Sequence, residues 1–150
     1  MTCVGGVDPK KWFDRMQPQT LQIATMLAYI ECFFSAVAIL DGGGYVGFLA
    51  RRSTFWLLVV VVATASLAVG GLLMANDRRL GWRMLVAASI APFILRIVTM
   101  VLLGATSASP VDWIVARPAG GSVLTVIFDG ALVALLLHPQ SRAHQRLWYR

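Results

Sequence analysis

The chain has 150 residues, of which 58% are hydrophobic and only 13% charged, and a formal net charge of +6. A soluble domain carries about 25% charged residues, so this composition excludes a water-clothed globular surface and makes lipid the fitting solvent. The positive excess sits beside apolar runs, not along a groove-sized face among exposed aromatics, which argues for a topology signal and against nucleic-acid binding.

Residues 1–17 are polar and mixed and contain no signal-peptide core, so the first apolar run is expected to remain as a membrane helix. Within them, cations mingle with Trp12, Phe13 and Met16, a mixture suited to the inner membrane surface. Four runs then approach the roughly 20 apolar residues that cross about 30 Å of hydrocarbon: 21–40, 56–75, 84–103 and a shorter one at 122–137. The valine-rich start of the second run would suit a strand in water. In lipid every backbone group must pair within its own segment, so helix wins.

The connectors differ in kind. Residues 41–55 read as a moderately long loop with a Gly42-Gly43-Gly44 hinge, and residues 76–83 as a tight turn. Residues 104–121, with Pro110 and Pro118, form the longest connector. Pro139 is expected to end the fourth helix, and the tail beyond it, with Leu147, Trp148 and Tyr149, suits the membrane surface. The expected architecture is all-α: one polytopic transmembrane domain over 1–150, a bundle of four helices.

Orientation follows from the basic residues. Lys10, Lys11, Arg15, Arg78, Arg79, Arg83, Arg142, Arg146 and Arg150 fall on one side, and Arg51, Arg52 and Arg117 on the other. The richer side is cytoplasmic by the positive-inside rule, which puts both ends in the cytoplasm of a bacterial inner membrane. Trp12, Trp56, Trp82, Trp113 and Trp148 all lie near expected span ends, as headgroup-level anchors do.

Three ionisable residues lie inside spans: Glu31, Arg96 and Asp129. At 1.5 Å per residue they sit about 15, 18 and 12 Å from the cytoplasmic end, within reach of one arginine side chain. The simplest account is a buried cluster in which Arg96 bridges Glu31 and Asp129 and pins three helices together, with one acid holding a proton because two ionised acids would leave a net charge of −1. A packing clasp, a site for a polar ligand or a partner's charge, and a proton relay all remain open readings. Pro92, one turn before Arg96, frees the Ala88 carbonyl and favours a kink that makes room for the guanidinium.

The second span carries no charge but has small residues, with Thr64 and Ala68, and Ser66 and Gly70, at the small-xxx-small spacing that lets helices approach closely. They are candidates for a packing or partner-docking face. Cys3 and Cys32 fit no metal spacing, and Cys32 reads as a small hydrophobe. His138 and His144 straddle Pro139 and make a poor metal pair. The chain has no P-loop, HExxH, GxSxG or CxxC motif, so no enzyme activity, cofactor or metal is expected.

The run Pro18-Gln19-Thr20-Leu21-Gln22-Ile23-Ala24 and the ending His138-Pro139-Gln140-Ser141-Arg142 through Trp148-Tyr149 resemble the two ends of small actinobacterial four-span membrane proteins, among them the accessory subunits of mycobacterial Mce lipid importers. Only Lys10 and Lys11 among the cations are lysines, a bias toward arginine that agrees with a GC-rich source. The resemblance covers most of the chain. It implies a non-catalytic accessory or assembly subunit that binds a permease-like membrane subunit of an ATP-driven importer, in contact with membrane lipids. The competing expectation is a small multidrug-type antiporter acting as a homo-oligomer, which also has four helices and an acid in its first span. Neutralisation of Glu31 by Arg96 and the strong charge bias count against it.

Overall fold

The computed structural model describes residues 8, 11–14 and 16–149. Cys3, Lys10, Arg15 and Arg150, which entered the sequence reading, lie outside the described residues. The described chain is helical, with no strand: α1 (Gln19–Asp41), α2 (Gly44–Arg52), α3 (Thr54–Ala75), α4 (Arg79–Leu102), α5 (Pro110–Val115), a 3-10 turn at Arg117–Ala119, α6 (Val123–Leu137) and α7 (Pro139–Trp148).

Three of these, α1, α3 and α4, are long and apolar enough to cross a membrane. Their outward residues are large and apolar: Phe33 is 64% exposed, Phe34 65% and Val62 62%. Such faces are stable only in lipid. The fourth candidate differs from expectation. At 15 residues, α6 spans only about 22 Å, short of the hydrocarbon thickness, and it meets the α5 segment across a bend of 115°. Only the bent pair together passes as a fourth crossing.

The expected hinge loop at 41–55 is instead a helix. Gly42 closes α1 in the left-handed conformation (φ 70°), its N–H donating to the Ala38 carbonyl at 2.9 Å. The chain reverses at once into α2, and Gly47 lies so close to the Gly42 backbone and the Ala38 carbonyl that a side chain there has no room. α2 wedges back into the bundle and buries Tyr45, Val46 and Leu49. The physical reason is economy of backbone: a loop at this depth would strand N–H and C=O groups, and a short helix pairs them internally.

The core has two apolar layers. One joins Leu21, Ala24 and Ala28 of α1 with Leu67, Met74, Leu85, Leu132 and Leu136. The other joins Tyr45, Val46 and Leu49 of α2 with Val60, Leu95 and Met100.

The first and last described segments of the chain gather at the α3–α4 turn. Asn76 in that turn accepts from the Asp8 N–H at 2.9 Å and donates to the Asp8 and Lys11 carbonyls at 3.2 and 3.3 Å. Gln17, 5% exposed, donates to the Met74 carbonyl at 2.8 Å. Lys11 pairs with Asp14 at 2.7 Å and Asp77 at 3.4 Å. Partial burial disfavours both charges, but the contacts outweigh it: the Lys11 pKa is held above the usual lysine range and the Asp14 pKa below the usual carboxylate range. From the other end, Arg79 donates to the Tyr149 carbonyl at 2.8 Å, and Ser141 to Thr20 at 2.9 Å. Pro139 does end α6, yet it also opens α7 as its first residue, where a missing N–H costs nothing.

Candidate functional site

The bundle interior is polar where α4 and α6 meet. Arg96 on α4 is only 1% exposed, and its Nη2 donates to the carboxylate of Asp129 and, at 3.3 Å, to the Thr125 hydroxyl one turn earlier on α6. Thr125 is oriented by donating its own hydroxyl to the Ser122 carbonyl at 2.7 Å. Among the described residues, the Nε and Nη1 groups of Arg96 have no acceptor. They are answered by aromatic faces: the guanidinium carbon stands 4.9 Å from the Tyr45 ring centre and 5.5 Å from that of Phe93. A desolvated cation over aromatic rings gains about 2 kcal/mol, part of what the lost hydrogen bonds would have given.

Glu31 is near this pair but is not bridged by Arg96. Its carboxyl is buried and hydrogen-bonded to the carboxyl of Asp129, a contact that takes one proton between the two acids. The three residues expected to cluster are thus brought together, with the roles divided differently: Arg96 and Asp129 form the ion pair, and Glu31 stands beside Asp129. Tyr45, which covers the arginine, was not foreseen because its helix read as a loop. Its spacing with Val46 and Leu49 was the available signal for a helical face.

The Glu31–Asp129 side of the cluster faces a cavity of about 310 Å³ between α1 and α6. Its walls are apolar, from Leu27, Ile30 and Phe34 on α1 and Leu124 and Phe128 on α6, with Pro92 of α4 behind. α4 runs through Pro92 without interruption, and the ring forms part of this wall instead of ending the helix. No protein-family model matches the chain, and no curated protein or solved structure matches it.

The small residues of α3 do not form one face. Thr64 and Gly70 belong to the buried stripe with Val60, Leu67, Gly71 and Met74. Gly70 lies against α4, where an added Cβ would stand 3.2 Å from the Leu85 nitrogen, and Gly71 against the Tyr29 ring at 2.9 Å. Ser66, whose hydroxyl donates to the Val62 carbonyl at 2.7 Å, and the half-buried Ala68 lie off that stripe. Ser66 lines a shallow lateral groove of about 530 Å³ between α3 and α4, with Leu58 and Val62 on one bank and Met84, Ala87 and Ala91 on the other.

Among the described residues no three potential metal ligands group together. Cys32 packs as a partly buried apolar residue against the first core layer. His144 is half-buried, stacked on Trp148 at 6.2 Å between ring centres and edge-on to Tyr149 at 5.8 Å, while His138 caps α7 by accepting from the Gln140 N–H at 3.3 Å.

Proposed function

We propose that the protein is a non-catalytic accessory or assembly subunit of a larger complex in a bacterial cytoplasmic membrane, crossing it four times with both ends in the cytoplasm. The observation that carries this reading is the groove between α3 and α4. Its floor and banks include Ser66, Ala63, Ala87, Ala88 and Ala91, and it holds no charge. Where water is absent, close backbone approach along small side chains and the dispersion gained there drive helix association. A neighbouring subunit's helix seats here without desolvating an ion. The resemblance of the chain ends points to the permease of an ATP-driven lipid importer as the partner class. Four crossings agree with the gathering of both ends at the α3–α4 turn, beside Lys11, Arg78, Arg79 and Arg83.

Purification in mild detergent from native membranes tests the docking. Ala87→Trp, which fills the groove from an exposed position, should abolish co-purification of the partner while leaving the yield of folded chain intact. A wild-type protein that purifies only as a monomer and transports a substrate when reconstituted alone would overturn the reading. Orientation is tested separately: a membrane-impermeant thiol reagent that labels Gln145→Cys in intact cells would reverse the topology.

A further inference from the structure

We propose that the cleft between α1 and α6 is a binding site for a neutral single-chain amphiphile, an alcohol head on an aliphatic tail, that enters sideways from the bilayer. The proposal stands independently of the α3–α4 groove and of any partner subunit.

The argument begins with the charges, which cancel. Glu31 and Asp129 both line the cleft, but the proton between them leaves one negative charge, and Arg96 answers it. An ionic head finds no free counter-charge there, and a charge buried without a partner is costly. What the cleft offers instead is neutral groups without partners. Tyr45 is only 8% exposed, yet its hydroxyl makes no hydrogen bond to a described residue. Thr25, Ser66 and Thr99 each donate to the backbone carbonyl one turn back along their helix. The half-buried Ser35, one turn beyond Glu31 on the same face of α1, does not, and its hydroxyl has no described partner either. A single proton between two carboxyls occupies one oxygen of each, so the other buried oxygen of Glu31 has no donor among the described residues.

Buried polar groups are nearly always hydrogen-bonded, so two hydroxyls and a carboxyl oxygen around one apolar cavity call for a partner from outside the chain. The hydroxyls of Ser35 and Tyr45 donate and accept, whereas the Glu31 oxygen accepts only. An alcohol both donates and accepts, and so matches all three. An ester only accepts, and leaves the Glu31 oxygen as it stands.

Shape narrows the occupant further. The cleft holds about 310 Å³. At roughly 30 Å³ per non-hydrogen atom, the share of a water molecule in the liquid, that is room for about ten such atoms, one chain with its head and not a two-chain lipid. The loops Gly43-Gly44 and Gly120-Gly121 close one end, and they touch so closely that a Cβ on Gly120 would stand 3.3 Å from the Gly44 Cα. A cleft blocked in this way does not accept a helix laid along it. Its mouth is rimmed by Phe34, Leu124 and Phe128, which are 65%, 59% and 40% exposed on the apolar outer surface. A ligand arriving through that mouth comes from hydrocarbon and keeps its tail among these side chains while its head reaches the hydroxyls.

Photo-labelling in lipid nanodiscs provides the test, with 1-octanol carrying a diazirine on its chain as the probe and peptide mapping by mass spectrometry as the readout. The expected result is saturable label on Ile30, Phe34, Leu124 and Phe128 that excess 1-octanol suppresses and that methyl octanoate or octylammonium does not. Tyr45→Phe and Ser35→Ala, which keep the shape of the cleft, should each weaken the competition by 1-octanol about two- to tenfold, the scale of one hydrogen bond. Ser35→Phe, which fills the cleft, should abolish the suppressible label. Far-UV circular dichroism and monodisperse elution of the variants confirm that they are folded. Label that 1-octanol does not suppress, which would leave water as the occupant, overturns the proposal. So does competition unchanged in both Tyr45→Phe and Ser35→Ala, or equal competition by the ester or by octylammonium. A photo-crosslinker at Phe34 that, in native membranes, captures a neighbouring protein's helix in the cleft overturns it as well.

Discussion

Removing one member of the Arg96–Asp129 pair should cost far more than removing both, and the two single losses should be unequal. Arg96 and Asp129 are 1% and 5% exposed, so either charge is desolvated once its partner is gone. Breaking a buried pair typically costs about 3–5 kcal/mol, while replacing both members with apolar groups of similar volume is close to neutral. The stranded acid has an escape that the stranded base lacks. After Arg96→Met, Asp129 can take up a proton, which at pH 7 costs about 4 kcal/mol, three pH units above the ordinary carboxylate value at about 1.4 kcal/mol each. After Asp129→Leu, Arg96 keeps its charge, since a guanidinium does not deprotonate in proteins. Asp129→Leu should therefore be the more damaging single change, and the penalty of Arg96→Met should shrink by about 1.4 kcal/mol per unit as pH is lowered toward 5. Unfolding by sodium dodecyl sulfate titration in mixed micelles, followed by tryptophan fluorescence, measures all four corners of the cycle. Additivity of the two single changes within about 0.5 kcal/mol, or an Arg96→Met penalty that does not depend on pH, would refute the pairing.

Glycines on the packing faces should rank by the room around them. Gly81→Ala, whose Cβ would meet the Met74 nitrogen at 2.4 Å, should lower thermal stability more than Gly70→Ala, whose Cβ would stand 3.2 Å from the Leu85 nitrogen, and Gly130→Ala, with nothing within 4 Å, should be neutral or stabilising in the same melting assay. Tyr45→Leu removes a ring from Arg96 and should cost about 1–2 kcal/mol, whereas Tyr45→Phe keeps the ring face and should cost much less, read by the same titration. The N-terminal segment should stay docked over a wide pH range. Asp14, with its folded pKa lowered, contributes stability that is present above the unfolded carboxylate value and lost as pH falls through the folded one; Lys11, with its pKa raised, contributes stability that is present below the unfolded lysine value and lost as pH rises through the folded one. Protection of the Met16 and Gln17 amides, the exchange rate taken relative to the intrinsic rate at each pH, should accordingly be flat between about pH 5 and 9 and fall below about pH 4.

Much of this architecture was legible in the residues, for identifiable reasons. The runs at 21–40, 56–75 and 84–103 are largely apolar, and a backbone in lipid has little choice but helix; the observed helices start two to five residues earlier and end within one residue of them. The pairing of Arg96 with an intramembrane acid followed from the cost of a lone charge at that depth. Which acid it takes did not, because that depends on α2. Gly44-Tyr45-Val46-Gly47 looks like a loop by its glycines, yet the same glycines permit the tight approach that carries Tyr45 onto the guanidinium. The burial of Thr64 and Gly70 escaped a reading based on small residues alone. The stripe that matters runs 60, 64, 67, 71 and 74, and it shows only when the large side chains are counted with the small ones. The shortness of α6 was visible, but its sharp bend from α5 was not, since residues 116–121 take turns at Ala116 and Gly120 that depend on what they pack against.

The knot of contacts at the α3–α4 turn also sets an order of assembly. The segment from Asp8 to Gln17 leaves the ribosome some sixty residues before the residues that hold it, Met74, Asn76 and Asp77. Tyr149, 70 residues further along than Arg79, returns to it in the same place. The segment around Asp8 thus waits for the α3–α4 turn, and the contacts at that turn are complete only once α7 has been made. A chain truncated before α7 would leave Arg79 and Thr20 without their C-terminal partners and would be recognisable to quality control by that opened end.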